Sequence, residues 1–585
     1  GGDTPFGKTI VLLNGIKLNS PDMSPMNWLE IPLGDIERIE IVRGSSSVLY
    51  GDAAIAGVIN IITKPSKEKT TAVISSAFGS YGLHNEKVST SGYANNLSFS
   101  LNGENLFSLG YQKRSTVSSQ SASAGFNYDI KEGSIISGAI SFNRMDYEMP
   151  GSLTKDEMAI DRQAYQPART AYWTPAHDND DASQDSLRAN LKTSISLQKN
   201  VLFDVDYALT HKGIKSNMVS LSTYTDTYQH TYSIMPKLIF SNELLQKQNK
   251  LTIGIDFYNE PFSLDKYADK ERKTKTSLAD ISKETLGYYL HDELNIVSDR
   301  LFLSGGYRQD RCKISAIDTI LPSTIAYDTS KLHHAEAYEL GTTLVLPNKS
   351  KVFVKYSTAY RFPFIDEQVY YYGFGGSDQF LTTLEKEQSK SLEAGFETYI
   401  FGSLKIGLNI FRTDMENEIR YNPSTYTNEN LDNSRHEGVE ITASYPVANW
   451  SKFYGSYSYH RATFVEGQYN GKELPLVPNN NLILSAEFYL PHNITLKPDC
   501  HFVSNSYMSG DNTNSAEKLD GYHTYNFFVF FKPKMKRISI SAFVGVENIT
   551  GTEYSTYAIT STAWGPTTYY PMPERTFKGG VHLSF

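Results

Sequence analysis

The sequence predicts an all-β membrane protein: a 22-stranded antiparallel transmembrane β-barrel with a small N-terminal α/β plug domain inside its lumen. The first observation is composition, because 13% of the 585 residues are aromatic, including 40 Tyr and 30 Phe, and only 20% are charged. The second is that most of the chain alternates apolar and polar residues in short segments. The third is that the connections between these segments are sorted into short and long ones.

The first 66 residues do not follow the alternating pattern. The run KTIVLLNGIKLN (8–19) has two apolar segments joined by Asn14-Gly15, a dipeptide typical of tight hairpin turns. The strand IERIEIV (36–42) carries charged and apolar residues on both faces. A strand of this kind suits a domain surrounded by a polar lumen rather than by lipid. We therefore predict a plug domain over residues 1–66 and a barrel over residues 70–585.

The barrel strands are predicted from side-chain alternation. In VLFDVDYAL (201–209) the apolar residues share one face and Asp204 and Asp206 lie on the other, since successive strand residues point to opposite faces. The same reading along the chain gives 22 candidate strands, which start near residues 71, 85, 97, 124, 136, 186, 201, 232, 250, 285, 301, 336, 351, 391, 404, 438, 452, 480, 494, 523, 537 and 574.

The connections favour a membrane barrel over a soluble sandwich. Short turns are predicted at 131–134, 198–200, 297–300, 347–350, 401–403, 490–493 and 534–536. Long loops are predicted at 145–185, 259–284, 310–335, 360–390, 414–437 and 548–573. Short turns at one end and long loops at the other are typical of outer-membrane barrels, and a sandwich has no reason to sort its loops in this way. A barrel of 22 strands encloses a lumen wide enough to hold a plug.

Composition also excludes other classes of protein. The chain has no run of 18 apolar residues, which excludes a helical membrane protein. Its net charge of −9 and scattered basic residues argue against nucleic-acid binding. The two cysteines, Cys312 and Cys500, form neither a disulfide framework nor a metal-binding motif. No Ser/His/Asp grouping stands out among the 13 histidines, so we do not expect an enzyme.

Several motifs carry a resemblance to a known family. The segment IERIEIVRGSSSVLYGDAAIAGVINIITK (36–64) resembles the plug of TonB-dependent outer-membrane receptors, although Ser45 stands where the family usually has Pro and Ala56 where it usually has Gly. Four further segments resemble barrel motifs of the family: YSTAYRFPFIDE (356–367), EQSKSLEAGFE (387–397), VENITGTEY (546–554) and YYPMPERTFKGGVHLSF (569–585). We expect the N-terminal end of the plug and the TonB box to lie outside this sequence.

The resemblance implies a setting and partners. It implies a monomer in the outer membrane of the cell, with short turns and both barrel ends in the periplasm and long loops outside the cell. The implied partners are the TonB energy-transducing complex linked to ExbB and ExbD, the barrel-assembly machinery, outer-membrane lipid and lipopolysaccharide, and a metal-chelate substrate. Terminal Phe585 resembles the family's assembly signal, and no cofactor is required.

The resemblance also implies a gate between plug and barrel. Plug residues Arg38 and Arg43 and lumen-facing Glu393 and Glu440 are expected to form an ion-pair cluster, and we expect Glu393→Ala to loosen the plug. The alternative is that the arginines are ordinary solvated strand residues. The small residues Gly44, Ser45, Ser46, Ser47 and Gly51 are a candidate hinge, which tight packing explains equally well.

Aromatic residues in the predicted long loops are candidates for contact with the substrate. Aromatic rings suit planar or catecholate ligands through stacking and cation–π contacts, whereas an aromatic belt at the membrane interface is the alternative. The candidates are Tyr172, Trp173, Tyr370, Tyr371, Tyr372, Phe374, Trp564 and Tyr569. In the acidic run 177–185, Asp178, Asp180 and Asp181 are candidate Ca²⁺ ligands, and a solvated acidic loop is the alternative.

Three functions remain open at this point. The first is energy-driven import of a scarce metal chelate, either a ferric siderophore or cobalamin. The second is a passive porin, which the predicted plug argues against. The third is a barrel enzyme, for which the sequence offers no catalytic grouping.

Overall fold

A computed structural model describes residues 7–31, 36–63, 70–131, 133–172, 174–244, 246–321, 324–347, 349–370, 379–422, 427–533, 535, 538–561 and 565–585. Within these ranges the chain forms a closed barrel with a small mixed sheet in its lumen. None of the described helices is long and apolar enough to cross a membrane.

The plug domain contains four strands and one short helix: β1 (Thr9–Leu13), β2 (Ile16–Lys17), β3 (Ile36–Arg43), α1 (Ser47–Tyr50) and β4 (Gly57–Thr63). The sheet order is β2-β1-β4-β3, with β1 parallel to β4. Ile10 and Leu12 pack on one face of the sheet and Val11 on the other. As an edge strand, β3 leaves Ile39 and Ile41 more than half exposed inside the barrel, so the mixed charge pattern of IERIEIV reflects a strand that borders open lumen.

The barrel closes where its last strand pairs with its first, antiparallel to it. Its first thirteen strands follow one another directly: β5 (Thr71–Gly79), β6 (Leu83–Ala94), β7 (Leu97–Ser108), β8 (Val117–Lys131), β9 (Ser134–Glu148), β10 (Asp181–Gln198), β11 (Val201–Met218), β12 (Thr223–Leu244), β13 (Lys247–Tyr267), β14 (Lys275–Val297), β15 (Leu301–Ile320), β16 (Thr324–Val345) and β17 (Lys351–Arg361).

The second part of the barrel is interrupted by hairpins in the loops. The loop strands are β18 (Val369–Tyr370), β19 (Gln379–Phe380), β22 (Ile419–Asn422), β23 (Thr427–Asn430), β30 (Ser555–Ile559) and β31 (Thr568–Pro571). The barrel strands are β20 (Glu387–Ile400), β21 (Leu404–Glu416), β24 (Ser434–Ala448), β25 (Ser451–Phe464), β26 (Asn480–Leu490), β27 (Ile494–Val503), β28 (Tyr522–Phe531), β29 (Ser539–Glu547) and β32 (Thr576–Ser584).

Two further short helices, α2 (Lys155–Ile160) and α3 (Ile365–Gln368), lie in loops. Single 3₁₀ turns occur at Trp28–Glu30, Thr170–Tyr172, Val219–Leu221 and Pro491–Asn493. We call the end of the barrel that carries 199–200, 298–300 and 401–403 the short-turn end, and the opposite end the long-loop end. The plug sheet ends at Thr63 and the barrel begins at Thr71, close to the short-turn end.

Over the described residues, the structure confirms the predicted count of 22 barrel strands. On β20, Leu392 and Phe396 are exposed on the outer surface, whereas Glu393 between them is buried against the lumen. Phe585 follows β32 with its side chain half exposed, and its backbone pairs with Ala72 where the barrel closes.

Two predicted long loops, 259–284 and 310–335, are wrong. Strands β13 and β14 are joined by residues 268–274 only, and β15 and β16 by residues 321–323. The strands continue past the membrane, where the polarity of their two faces is reversed. On β14, Ala279 and Ile281 point inward and are buried, while Asp280 and Glu284 point outward. A prediction based on outward-facing apolar residues therefore ends the strand at the point where it leaves the membrane.

Candidate functional site

The plug is fixed to one side of the barrel wall through residues 44–53, which we call the seat segment. Its helix α1 packs on β14 to β17, and Val48 joins an apolar cluster with barrel residues such as Ile281 and Ile314. Gly51 adopts a φ of +73°, and a Cβ there would lie 2.8 Å from the guanidinium of Arg308. Both observations call for glycine at position 51, because other residues rarely adopt this φ.

Asp52 connects the seat segment to the wall by a buried ion pair. Its carboxylate lies 3.0 Å from the Lys283 ammonium and accepts a hydrogen bond of 2.8 Å from the Phe362 backbone N–H. Burial alone would raise the pKa of the Asp52 carboxyl, but the ammonium groups of Lys283 and Lys17 outweigh it and hold the pKa below its usual value. Asp52 therefore carries its charge where the plug meets the barrel.

A second buried network lies directly beneath Gly51. The Arg308 guanidinium donates to Asp256 at 2.6 Å and to Asp310 at 2.7 Å, and its Nε also reaches the Tyr360 hydroxyl at 3.2 Å. Arg308 is 1% exposed, so its charge is shielded from water. Charge-assisted hydrogen bonds of this kind fix the direction of the side chain, which gives the seat segment a rigid floor.

The wall also sends a buried segment over the plug. Residues 361–369, which we call the cover segment, are buried throughout. Arg361 holds the segment in place by donating to Glu367 at 2.6 Å and to Glu387 at 2.8 Å. The Ile365 N–H donates to the Pro21 carbonyl, and the Met23 N–H donates to Asp366. The cover segment thus links the plug to the wall at the long-loop side.

The predicted plug–barrel cluster forms in part. Arg43 Nη1 lies 3.3 Å from Glu440 Oε2, and both side chains are partly exposed. Glu393 lies beside them, and its carboxylate accepts from Ser391 and occupies the space next to Gly44. Arg43, Glu393 and Glu440 all line one cavity of about 320 Å³ between plug and wall.

The structure places Arg38 outside this cluster, contrary to the prediction. Arg38 pairs with Glu40 at 2.8 Å and with Glu37 at 3.5 Å, both on its own strand. Residues 38 and 43 are five apart, so they lie on opposite faces of a strand and cannot turn to the same part of the wall.

Sequence reasoning missed the more deeply buried contacts. Lys8 forms an ion pair with Glu418 and lies 4.0 Å from Glu387, and Asp52 pairs with Lys283. The signal for Lys283 was present, because it is a charge at an inward position that follows the apolar inward residues Ala279 and Ile281.

The candidate hinge is closely packed. Ser45 and Ser47 are fully buried. The Ser45 hydroxyl donates to the Ile55 carbonyl at 3.0 Å and lies 3.4 Å from the Ser389 hydroxyl. The Lys355 ammonium donates to the Ser46 hydroxyl oxygen at 3.4 Å. The Tyr360 backbone N–H donates to the Ser47 hydroxyl oxygen, also at 3.4 Å. Motion at Gly44, Ser45, Ser46, Ser47 and Gly51 stays a prediction.

The structure describes few of the candidate substrate aromatics. Tyr569 is buried beneath a loop, where its backbone bridges to Leu153. The backbone alone is described at Tyr172 and Tyr370. The remaining candidates lie outside the described residues: Trp173, Tyr371, Tyr372, Phe374 and Trp564.

The acidic run does not bring three carboxylates together. Asp178 is exposed, and Asp180 accepts hydrogen bonds from Ser220 and lies 2.9 Å from His177. Asp181 lies 2.6 Å from Asn217 and 3.2 Å from Lys270. Over the part of the chain that the structure describes, no group of three or more His, Cys, Asp or Glu residues is arranged to hold a metal ion.

Comparison with known proteins agrees with this architecture. The chain matches the family models for the TonB-dependent receptor plug domain over residues 1–58 and for the TonB-dependent receptor-like β-barrel over residues 127–549. A barrel with a plug in its lumen is the architecture of an outer-membrane receptor. Because the barrel model covers most of the sequence, the chain belongs to the TonB-dependent receptor family.

Curated relatives include two vitamin B12 transporters named BtuB. The chain is 40% identical over 75 residues to that of Photobacterium profundum, a match that covers 13% of the chain and 12% of the relative. It is 23% identical over 445 residues to that of Vibrio vulnificus, which covers 74% of the chain and 63% of the relative. The chain therefore spans less than two thirds of the length of these relatives.

Solved structures share the fold over almost the whole chain. The ferric yersiniabactin uptake receptor FyuA from Yersinia pestis has a TM-score of 0.81 at 15% identity and covers 99% of this chain and 89% of its own. The ferric citrate transporter FecA has a TM-score of 0.81 at 17% identity, and the match covers 99% of this chain and 88% of the FecA chain. The ferric-catecholate import receptor Fiu from E. coli K12 has a TM-score of 0.79 at 15% identity, with 99% and 90% covered.

Proposed function

We propose that this chain binds a ferric siderophore at its long-loop end, outside the cell, and imports it into the periplasm when the TonB complex moves the plug. The observation that carries this proposal is the plug, which occupies the lumen of a closed barrel and is fixed to its wall by buried ion pairs. A lumen blocked in this way admits no large solute until work is done on the plug. The outer membrane holds no ATP, so the work comes from a partner in the periplasm.

Cobalamin is the second candidate substrate. The curated relatives that support it are vitamin B12 transporters, whereas three structural neighbours are receptors for ferric chelates. The similarity to these structures supports the fold. The choice of a ferric siderophore as substrate rests on the number of structural neighbours that are named as receptors for ferric chelates. Both candidates are large, scarce, polar metal chelates, and both need a plugged lumen rather than an open pore.

Ligand binding and energised uptake test the proposal together. The purified protein is titrated with ferric citrate, a ferric catecholate and cyanocobalamin, and binding is followed by tryptophan fluorescence. Uptake of the same radiolabelled compounds is then measured in cells with and without an intact TonB complex. We expect one compound to bind and to enter only energised cells. Uptake that is independent of TonB, or binding of none of the ferric chelates, contradicts the proposal for a siderophore.

A passive porin is tested separately by liposome swelling. A lumen closed by the plug predicts no measurable flux of small sugars through the reconstituted protein. Rapid swelling with the intact protein contradicts gated import, and the matched control is a variant that lacks residues 1–63, which we expect to conduct sugars freely.

A further inference from the structure

Two cavities lie between the plug and the part of the wall formed by β5 to β11 and the adjoining β32. One has a volume of about 250 Å³ and the other about 70 Å³. Asn102, Ser123 and Ser141 line both, so the two cavities meet at these residues. The larger cavity reaches Glu30 of the plug and the smaller one reaches Thr63, where the plug sheet ends near the short-turn end. Together they follow the wall down towards that end.

The wall beside the larger cavity is mostly polar, with Lys87 and Glu104 as charged members, and the smaller cavity adds Arg188 and small residues such as Gly125 and Ala139. The strand register sets Ser89, Asn102, Ser123 and Ser141 side by side in one row across β6 to β9. Hydroxyl and amide groups both donate and accept hydrogen bonds. A hydrated polar solute can therefore exchange partners along this row without being held by a fixed charge.

A second row lies two residues nearer the long-loop end. It aligns Glu104, Ser121 and Asn143 across β7 to β9, and the Glu104 carboxylate is neutralised by Lys87 at 2.9 Å. The two rows give a continuous polar lining from the level of Glu30 downwards. Such a lining suits a polar chelate of either sign of charge.

The plug meets β8 to β10 through the turn at Asn27–Glu30 and through the Leu18 carbonyl, which accepts a hydrogen bond of 3.3 Å from Arg188. Asn27 donates to Asn143 at 3.0 Å, and Glu30 pairs with Arg188 at 2.9 Å. On the opposite wall the plug is held by α1, by the Asp52–Lys283 pair and by the cover segment. The plug can therefore separate from β8 to β10 while it remains attached to β14 to β17.

The cavity of about 320 Å³ is the competing space, and its chemistry is different. It is lined by Lys8, Arg43, Glu393 and Glu440, and it shares no lining residue with the other two cavities. Passage there requires the Arg43–Glu440 ion pair to break, as passage along β8 to β10 requires the Glu30–Arg188 pair to break. The difference lies in the wall itself, where the charged side chains of Glu393 and Glu440 stand in place of the uncharged row of Ser89, Asn102, Ser123 and Ser141.

We propose that cargo crosses the lumen between the plug and the wall of β6 to β10, along the two polar rows, while the seat segment stays on β14 to β17 as a pivot. The proposal rests on the proposed import function and adds the route within it. The turn at Asn27–Glu30 is then the contact that opens, and the seat segment is the contact that remains.

Two engineered crosslinks separate this route from the competing one. Asn27→Cys with Asn143→Cys ties the plug to the polar wall, and Ser45→Cys with Ser389→Cys ties it to the opposite wall. The native side chains of both pairs are already in contact, at 3.0 and 3.4 Å. Both pairs are built in a Cys312→Ala, Cys500→Ser background, and each is measured oxidised and reduced.

Uptake of ferric citrate, a ferric catecholate and cyanocobalamin is the first measurement. We expect the oxidised Asn27/Asn143 crosslink to lower uptake of the imported compound at least tenfold, with recovery on reduction, and the Ser45/Ser389 crosslink to change it less than twofold. Loss in both variants, retention in both, or the reverse pattern overturns the route. If the uncrosslinked background imports none of the compounds, the import function fails, and the route is decided by the second measurement.

The second measurement needs no cargo. Conductance of KCl through the purified variants in planar bilayers is followed across a urea series that releases the plug. We expect the Asn27/Asn143 crosslink to shift channel opening to higher urea and the Ser45/Ser389 crosslink to leave it unchanged. A shift caused only by the Ser45/Ser389 crosslink, or an equal shift in both, overturns the pivot and the route.

Discussion

Gly44 and Glu393 show how closely single residues fit at the plug boundary. Gly44 has a φ of +69°, and a Cβ there would overlap the Glu393 carboxylate. The left-handed conformation alone costs an alanine roughly 1–2 kcal/mol. The role of Glu393 is thus partly steric, because it fills the space that the missing side chain leaves.

We expect Gly44→Ala to loosen the plug and Glu393→Ala to recover part of the loss when the two are combined. The second substitution removes the overlap but leaves the strained backbone, so recovery is incomplete. Conductance of purified variants in planar bilayers measures the effect, with Glu393→Ala alone as the control. Strictly additive effects of the two substitutions would show that the side chains do not meet.

The ion pairs at the plug boundary differ in how far they are buried. The Arg43 side chain is 54% exposed and that of Glu440 33%, and exposed pairs contribute below about 1 kcal/mol. The Lys283 side chain is 3% exposed. Loss of its partner would leave a buried charge uncompensated, at a cost of about 3–5 kcal/mol.

Asp52→Asn is therefore expected to release the plug far more readily than Glu440→Gln. Thermal melting and bilayer conductance of the two purified variants measure the difference. We expect a large shift for Asp52→Asn and a small one for Glu440→Gln. Equal shifts would show that burial does not determine how strongly each ion pair holds the plug.

The pH dependence of closure follows from the lowered pKa of Asp52. A carboxyl whose folded pKa is depressed contributes stability above its unfolded pKa, roughly 3.9, and loses it as pH falls through the lower folded value. We expect the Asp52 contribution to closure to hold from about pH 7 to about pH 4 and to fade below that. Bilayer conductance is measured against pH for the native protein and for Asp52→Asn. We expect the difference in conductance between the two proteins to become smaller only below about pH 4. A difference that already becomes smaller near pH 7 contradicts this role of Asp52.

At the scale of elements, the membrane part of each strand was predictable and its extension was not. Strands that begin at short turns start within three residues of the predicted positions, as at 201, 301 and 404. Most strands that begin at the long-loop end start earlier than predicted, as β12 does at Thr223 and β16 at Thr324, whereas β26 and β32 start within two residues of the predicted positions. Alternation identifies a strand only while its outer face contacts lipid, and the extensions reverse that pattern.

The cover segment depends on one arginine. Arg361→Met leaves the buried Glu367 carboxylate without its ion-pair partner and Glu387 with Lys8 alone at 4.0 Å, at a cost of about 3–5 kcal/mol. We expect faster hydrogen exchange across residues 361–369 and little change in the barrel strands. Lys390→Met, which removes an exposed pair with Glu416, is the matched control. Unchanged exchange in 361–369 would contradict the role of Arg361.

At the scale of the whole molecule, the proposed orientation has a direct test. Gly471 lies in the loop between β25 and β26 at the long-loop end, and Gly402 lies in the short turn between β20 and β21. Apart from the two chain neighbours, no atom of the residues that the structure describes lies within 4 Å of a Cβ added at either position. We expect antibodies to label an epitope inserted after Gly471 on intact cells, and one after Gly402 only after permeabilisation. The opposite result reverses the orientation.

The sequence predicted the plug and its enclosing barrel better than the contacts between them. Arg43 and Glu440 were found because inward positions follow from strand alternation. Lys8 and Asp52 were missed because their partners, Glu418 and Lys283, fall in the predicted loops 414–437 and 259–284, where no strand face was assigned. Strand periodicity tells which face a residue occupies but not which distant residue it meets.

The strands differ in length around the barrel, and loops make up the difference. β14 has 23 residues and β29 has 9, so the strands span roughly 75 Å on one side and roughly 30 Å on the other. The long strands enclose a buried apolar cluster that includes Phe262, Ile281 and Ile314. Above the short strands, the connections that follow β27 and β29 pack together through Met508, Leu519, Ala558 and Tyr569. The rim at the long-loop end is therefore built from sheet on one side and from packed loops on the other.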